Sequence, residues 1–158
     1  MNPQAAIHAL VDAGVEFLII GGWSAIFHGS THTTKDLDIF FPRTSENVRR
    51  LAAALAPYHP VLSDLPEGLP FVWDARTLRN GTIFTLRTDV GRIDLLAEVS
   101  GLGPYDEVAT HAVEVEAFGR RVRTLDLKSL IKSKRAANRE KDQGVLREME
   151  SLLEAESE

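Results

Sequence analysis

Two glycines, Gly21-Gly22, are followed after thirteen residues by Asp36-Leu37-Asp38-Ile39, and this spacing restricts the chain more than any other feature. The apolar run 15–20 has the length and β-branched content of a buried strand, and it stops at the glycines. Residues 23–28 then read as a short helix closed by Gly29. A second strand over 35–41 carries both aspartates on one face, because side chains alternate across a strand, with Cα atoms roughly 6.5 Å apart. Strand, diglycine, helix start is a phosphate cradle: glycine lets the backbone approach an anion, and the first helical N–H groups point at it. Ser24 adds a hydroxyl to this expected cradle. A diglycine taken alone is also a tight turn, and Ser24 alone a helix cap. The acidic pair that follows is what turns the reading toward a phosphate site.

Carboxylates on the apolar run Leu37, Ile39, Phe40, Phe41 repel each other and resist desolvation, so a cation or a basic partner is expected beside them. Mg2+ suits such a pair, since it takes hard oxygen ligands, commonly one or two carboxylates with waters and substrate phosphates. Asp94 lies in a similar apolar setting, Arg92-Ile93-Asp94-Leu95-Leu96, which reads as another buried strand. Three carboxylates on neighbouring strands are what two-metal phosphoryl transfer needs, with cations about 3.5–4 Å apart. Asp36, Asp38 and Asp94 are therefore the candidate ligands for two Mg2+ ions, or for Mn2+ in their place.

The pattern hydrophobic-Gly-Gly, a gap, then Asp-hydrophobic-Asp-hydrophobic resembles the signature of the polymerase-beta-like nucleotidyltransferase superfamily, which Gly21, Gly22, Asp36 and Asp38 match. More closely, Ile20-Gly21-Gly22-Trp23-Ser24-Ala25, His28-Gly29, Thr34-Lys35-Asp36-Leu37-Asp38 and Arg92-Ile93-Asp94-Leu95-Leu96 resemble the small bacterial nucleotidyltransferases. That branch includes abortive-infection toxin-type enzymes and aminoglycoside or lincosamide nucleotidyltransferases. The resemblance covers roughly residues 15–142. It implies an α+β fold, a mixed β-sheet flanked by helices with a C-terminal helical pair. It also implies that Asp36 and Asp38 bind two Mg2+, and that Asp94 binds the catalytic metal or deprotonates the acceptor hydroxyl. One departure stands out: relatives often carry Arg four residues before the first aspartate, where this chain has His32, a weaker phosphate contact and a pH-dependent one. The Gly-Ser form with following arginines, typical of minimal nucleotidyltransferases that pair with a helical partner protein, is absent.

At 158 residues, 44% hydrophobic and 26% charged, the chain is expected to form one domain, with a catalytic α/β core over 1–125 and C-terminal helices over 126–158. No stretch approaches the ~18 apolar residues of a membrane span, and the N-terminus lacks a basic-then-apolar signal pattern, so a cytoplasmic protein without a membrane partner is expected. Zero cysteines exclude disulfides and thiolate metal sites, and five scattered histidines lack zinc-ligand spacing.

The net charge of −5 conceals a segregation. Residues 119–142 hold nine Lys/Arg against three acids, whereas 143–158 hold one Arg against five Glu. Such a block is commonly a solvated helix face, but an acidic pocket that accepts a triphosphate needs positive charge beyond its metals. Within it, 132–142 resembles the Lys-x-x-Ala-Gly-Arg-x-Lys-Asp run of the same branch, with Asn138 where glycine is usual. Asn tolerates the left-handed backbone such a glycine adopts. Lys134, Arg139 and Lys141 are the candidates for nucleotide or acceptor contacts, and Asp142 for pairing with a neighbouring base or capping the last helix.

Elsewhere, Asn2-Pro3 caps a helix ended by Gly14, a helix runs from Ser45 to about Ala56, and 57–73 is the longest irregular stretch. Hairpins are expected over 82–87 with 92–98, and over 113–117 with 121–124. Asp126 caps the first C-terminal helix, and Val145, Leu146, Met149, Leu152 and Leu153 mark the core face of the last. Trp23 reads as core packing or a base-stacking ring, His28 as a structural histidine, and Phe71 and Trp73 as pocket lining or loop anchors.

The expectation is a nucleotidyltransferase that moves a nucleoside monophosphate from an NTP, ATP included, to a hydroxyl acceptor and releases pyrophosphate. An RNA 3′ end or a protein side chain, in the manner of toxin-type relatives with an antitoxin partner, is the favoured acceptor. A small antibiotic-type molecule is the alternative. A non-catalytic nucleotide-binding or partner-binding module and a metal-dependent nuclease are the other classes, and the nuclease needs no Gly-Gly cradle.

Overall fold

The computed structural model describes residues 2–66 and 68–157. Helix α1 (Pro3–Asp12) begins as the sequence indicates: Asn2 Oδ1 accepts from the Ala5 N–H at 3.1 Å, and Gly14, at φ +72°, ends it. Strand β1 (Leu18–Ile20) leads into helix α2 (Gly21–Phe27), and a loop returns the chain to β2 (Asp36–Phe40). Helix α3 (Ser45–Leu55) carries Val48, Leu51 and Leu55 on one buried stripe, and burying each fully contributes roughly 1.5–3 kcal/mol. It begins at the expected Ser45, capped by Thr44, whose Oγ1 accepts from the Asn47 N–H.

After α3 come β3 (Val61–Leu62), helix α4 (Ala75–Asn80), the hairpin β4 (Ile83–Thr88) with β5 (Gly91–Leu96), and helix α5 (Tyr105–Ala109). The hairpin β6 (Val113–Ala117) with β7 (Arg120–Thr124) precedes helices α6 (Leu127–Ala137) and α7 (Gln143–Glu156). Among the described residues seven strands form one mixed sheet in the order β3-β4-β5-β2-β1-β7-β6. β2 runs parallel to β5 and antiparallel to β1, which is in turn parallel to β7. The fold is thus α+β, with the C-terminal helical pair in place. Among the described residues no helix is long and apolar enough to cross a membrane.

Helices cover both faces. Leu37, Ile39, Ile93 and Leu95 point into a core shared with α1, α3 and Leu78 of α4. Leu18, Ile20 and Phe40 point the other way, into a second core built with α5, α6 and α7. Period-two alternation along each strand makes this division.

The stretch 57–73 is less irregular than its prolines suggest, since β3 pairs with β4 and Trp73 Nε1 donates to Ala52 O at 2.9 Å, anchoring the segment on α3. Helices α4 and α5 are too short, at six and five residues, to show an apolar period, so the sequence reading left them out. Asp126 does occupy the N-cap position of α6, but its side chain makes no capping hydrogen bond. Asn138 takes the left-handed conformation at φ 48° that its place after α6 requires.

Candidate active site

Four strands meet at one level of the sheet, where Ile20, Asp38, Asp94 and Thr85 are successive register partners across β1, β2, β5 and β4. Alternation places Asp36, Asp38, Arg92 and Asp94 on one face of β2 and β5. Arg92 is the register partner of Asp36, and its Nε lies 3.7 Å from Asp36 Oδ2 and 3.5 Å from Asp94 Oδ1. Two of the three carboxylates thus share one guanidinium, while Asp38 makes no ion pair among the described residues. The sequence reading assigned Arg92 no role. The signal was there in its spacing of two from Asp94, which on a strand means the same face.

Asp38 is the most perturbed acid here. Burial, then the neighbouring charge of Asp94 and to a lesser degree Asp36, raise its pKa to about 7, with Arg139 pulling the other way. Its Oδ1 is buried without a hydrogen-bond donor. A buried, undonated carboxylate oxygen beside a second carboxylate in register is a hard-oxygen donor set that suits Mg2+. Among the described residues no three His, Asp or Glu side chains converge into a metal-binding group. Arg92 lies within ion-pair distance of both Asp36 and Asp94 and offsets their charge.

The glycines are the first two residues of α2 rather than a turn before it. Gly21 directly follows Ile20, the register partner of Asp38, and so lies against that carboxylate; a Cβ at Gly21 would collide with Asp38 Oδ2. Its φ of +64° excludes most side chains independently. A Cβ at Gly22 would meet Thr34 Cβ and Oγ1 at 2.7 Å. The backbone here is thus bare because β2 and its preceding loop press against it.

Opposite the carboxylates, a cleft of about 300 Å3 opens between Gly21, Asp38 and Asp94 on the sheet side and Ser133, Lys134 and Arg139 on and just after α6. Lys134 is 4% exposed, with Nζ 3.5 Å from Asp142 Oδ1, and Arg139 Nε donates to Asp142 Oδ2 at 2.8 Å. Asp142 therefore pairs both cations and sets their position; it stands at the N-cap of α7 without making a side-chain cap bond. Gly101 allows the loop after β5 to sit on α6, where a Cβ would meet Ala136 Cβ at 2.6 Å. That loop supplies Val99 and Ser100, the wall between this cleft and an adjoining groove of about 520 Å3 lined by Ile83, Glu98, Leu102 and Pro104.

The remaining candidates lie elsewhere. Ser24 is fully buried, its Oγ hydrogen-bonded to Thr124 Oγ1 at 2.6 Å, so it ties α2 to β7 and does not line the cleft. Lys141 is exposed on a 3-10 turn outside the cleft lining. Three members of the basic block form separate pairs: Arg120 with Asp12, Arg121 with Glu114, Arg135 with Glu150. His28 bonds Leu125 O at 2.7 Å, and Trp23 packs against Phe27 and Phe118 with the core. His32 faces Glu148 of α7, with Nδ1 2.7 Å from Oε1.

No protein-family model matches the chain, and no curated protein matches it in sequence. In three dimensions it is similar to the lincosamide antibiotic adenylyltransferase LnuA in its lincomycin-bound crystal structure, with a TM-score of 0.61, 92% of each chain covered and 13% sequence identity. At that identity the likeness is one of fold, and it establishes that this seven-stranded α+β architecture is nucleotidyltransferase-like.

Proposed function

We propose that the protein is a Mg2+-dependent nucleotidyltransferase that moves a nucleoside monophosphate from an NTP to a hydroxyl group of a small molecule. The observation that carries the reading is the buried, undonated Asp38 carboxylate in register with Asp94, facing Lys134 and Arg139 across one cleft. Asp38 and Asp94 would hold the metal, and Asp36 would join them on leaving Arg92. Bound Mg2+ supplies charge neutralisation of the triphosphate and polarises the α-phosphorus. Gly21 brings bare backbone against Asp38 at the edge of the cleft, and Lys134 and Arg139 would offset the charge of the triphosphate. Asp94 takes the proton as the acceptor oxygen bonds to the α-phosphorus and the bond to the β-phosphate oxygen breaks, releasing pyrophosphate.

A small acceptor replaces the macromolecular one expected from the sequence, on the chemistry of the adjoining groove. Its lining is largely apolar with Glu98 exposed on it, and Glu107 Oε2 lies 2.9 Å from where a Gly103 Cβ would stand. Acids there repel an RNA backbone and attract a cation, and the volume suits a drug-sized molecule. The structural neighbour was crystallised with lincomycin, which points the same way.

The test is pyrophosphate release with each of the four NTPs, with and without Mg2+, in the presence of cationic hydroxylated small molecules, total RNA or a protein extract. Metal-dependent release coupled to label on a small molecule supports the reading. Label on RNA or protein restores the toxin-like acceptor, and silence with every NTP removes transferase activity.

A further inference from the structure

The loop between α2 and β2, residues 28–35, belongs to neither element, yet it joins the helix that the two glycines begin to the first aspartate. Its middle residues Thr31 to Thr33 are exposed. One carboxylate on the last helix holds it. Glu148 of α7 accepts from Ser30 Oγ at 2.6 Å, from the Thr31 N–H at 3.1 Å, from Thr31 Oγ1 at 2.8 Å, and faces His32 Nδ1 at 2.7 Å. Four donors fill both oxygens of one carboxylate, with charge-assisted bonds throughout. These donors also hold the Glu148 carboxyl well below its ordinary pKa, at about 2.

The held loop leads straight into the site. Thr34 packs its Cβ and Oγ1 where a Cβ on Gly22 would stand, and its Oγ1 lies 3.3 Å from Asp36 O. Fixing residues 30–32 therefore fixes Thr34, and Thr34 sets the distance between the glycine start of α2 and the start of β2. The same helix begins at Asp142, the residue that positions Lys134 and Arg139. Glu150, two residues on, engages only Arg135 on the outer surface.

We infer that Glu148 is a positioning residue that latches the α2–β2 loop onto α7 and so keeps the glycine start of α2 in its nucleotide-binding arrangement. It touches neither nucleotide nor metal. Its kinetic consequence rests on the transferase reading above, whereas its structural consequence does not. Without the latch, the loop samples open states, and affinity falls in proportion to the fraction that remains competent.

The experiment compares wild type with Glu148→Ala, Glu148→Gln, His32→Ala and the control Glu150→Ala. Hydrogen exchange is followed over residues 28–35 and over β2 and β5, and binding of ATP, GTP, CTP and UTP is measured with Mg2+. Glu148→Ala is expected to lose protection across 29–34 alone and to weaken nucleotide binding about tenfold, with kcat changed far less than KM. Glu148→Gln, which keeps acceptor oxygen but loses the charge, is expected to fall between. His32→Ala on top of Glu148→Ala should add nothing further, since the two share one interaction. Glu150→Ala should match wild type. If Glu148→Ala unfolds, His32→Ala alone carries the comparison, with a smaller local loss. Unchanged protection in the loop, or lost protection with unchanged nucleotide affinity, overturns the inference. Wild type that binds no NTP removes the transferase reading, and the latch then stands or falls on the exchange data.

Discussion

Asp38 and Asp94 stand directly opposite each other on neighbouring parallel strands, and Arg92, the register partner of Asp36, engages Asp94 and Asp36 but not Asp38. The cost of this like-charged, partly buried pair appears in Asp38, whose carboxyl titrates near neutrality. Stability and binding therefore pull this pair in opposite directions.

Replacing Asp38 with Asn removes the repulsion and the desolvation together. Asp38→Asn is expected to raise the metal-free unfolding free energy by roughly 1–2 kcal/mol, while metal-dependent transfer falls at least 100-fold. Denaturant unfolding and pyrophosphate release measure the two. A variant with wild-type turnover would remove Asp38 from the site.

Asp94→Asn should act differently, because its proposed work is on the acceptor proton. The chemical step is expected to drop by about 10²–10⁴-fold while NTP affinity changes little. Single-turnover rates set beside equilibrium binding separate the two quantities, and parallel losses would place Asp94 among the triphosphate contacts.

The pH dependence has a defined sign. Asp38 binds its proton more tightly folded than unfolded, so its contribution favours the metal-free fold below about pH 4 and is lost as pH rises toward about 7. Glu148 is the reverse: its contribution is present above its ordinary carboxylate value and is lost as pH falls toward about 2. The melting temperature of the metal-free protein is thus expected to rise by about 5 °C from pH 7.5 to 5 and to fall again below pH 4. With Mg2+, which needs the ionised form, affinity should climb with pH through neutrality. A flat profile from pH 5 to 7.5 would contradict the burial of Asp38.

The two exposed basic candidates make a paired test. Arg139 lines the cleft and Lys141 does not. Arg139→Ala is expected to weaken NTP binding and to flatten its dependence on salt, whereas Lys141→Ala should stay within about 0.5 kcal/mol in stability and leave the salt slope unchanged. Identical slopes for wild type and Arg139→Ala would return Arg139 to a structural role with Asp142.

Much of this was legible in the chain. The alternation around Asp36, Asp38 and Asp94 predicts a shared face because strand geometry leaves side chains no other choice, and the cap at Asn2 and the left-handed Asn138 are equally local. What stayed hidden depends on tertiary packing. Nothing near Ser24 indicates that Thr124, a hundred residues away, takes its hydroxyl into the interior. The charge of the basic block is visible in sequence, but which residues face the cleft is decided by partners such as Asp12, Glu114 and Glu150. His32 reads from its position as a weakened phosphate contact, and only the approach of α7 shows it facing Glu148.

The strand order has a consequence for synthesis from the ribosome. By the time β5 has emerged, all three aspartates have been made, but one edge of β1 still lacks its partner, because its parallel neighbour β7 lies more than twenty residues further along the chain. Lys134 and Arg139 come later still. Until then Arg92, made in the same strand as Asp94, is the positive charge at hand for the row, so the nascent sheet can close around its acids well before the cations across the cleft exist.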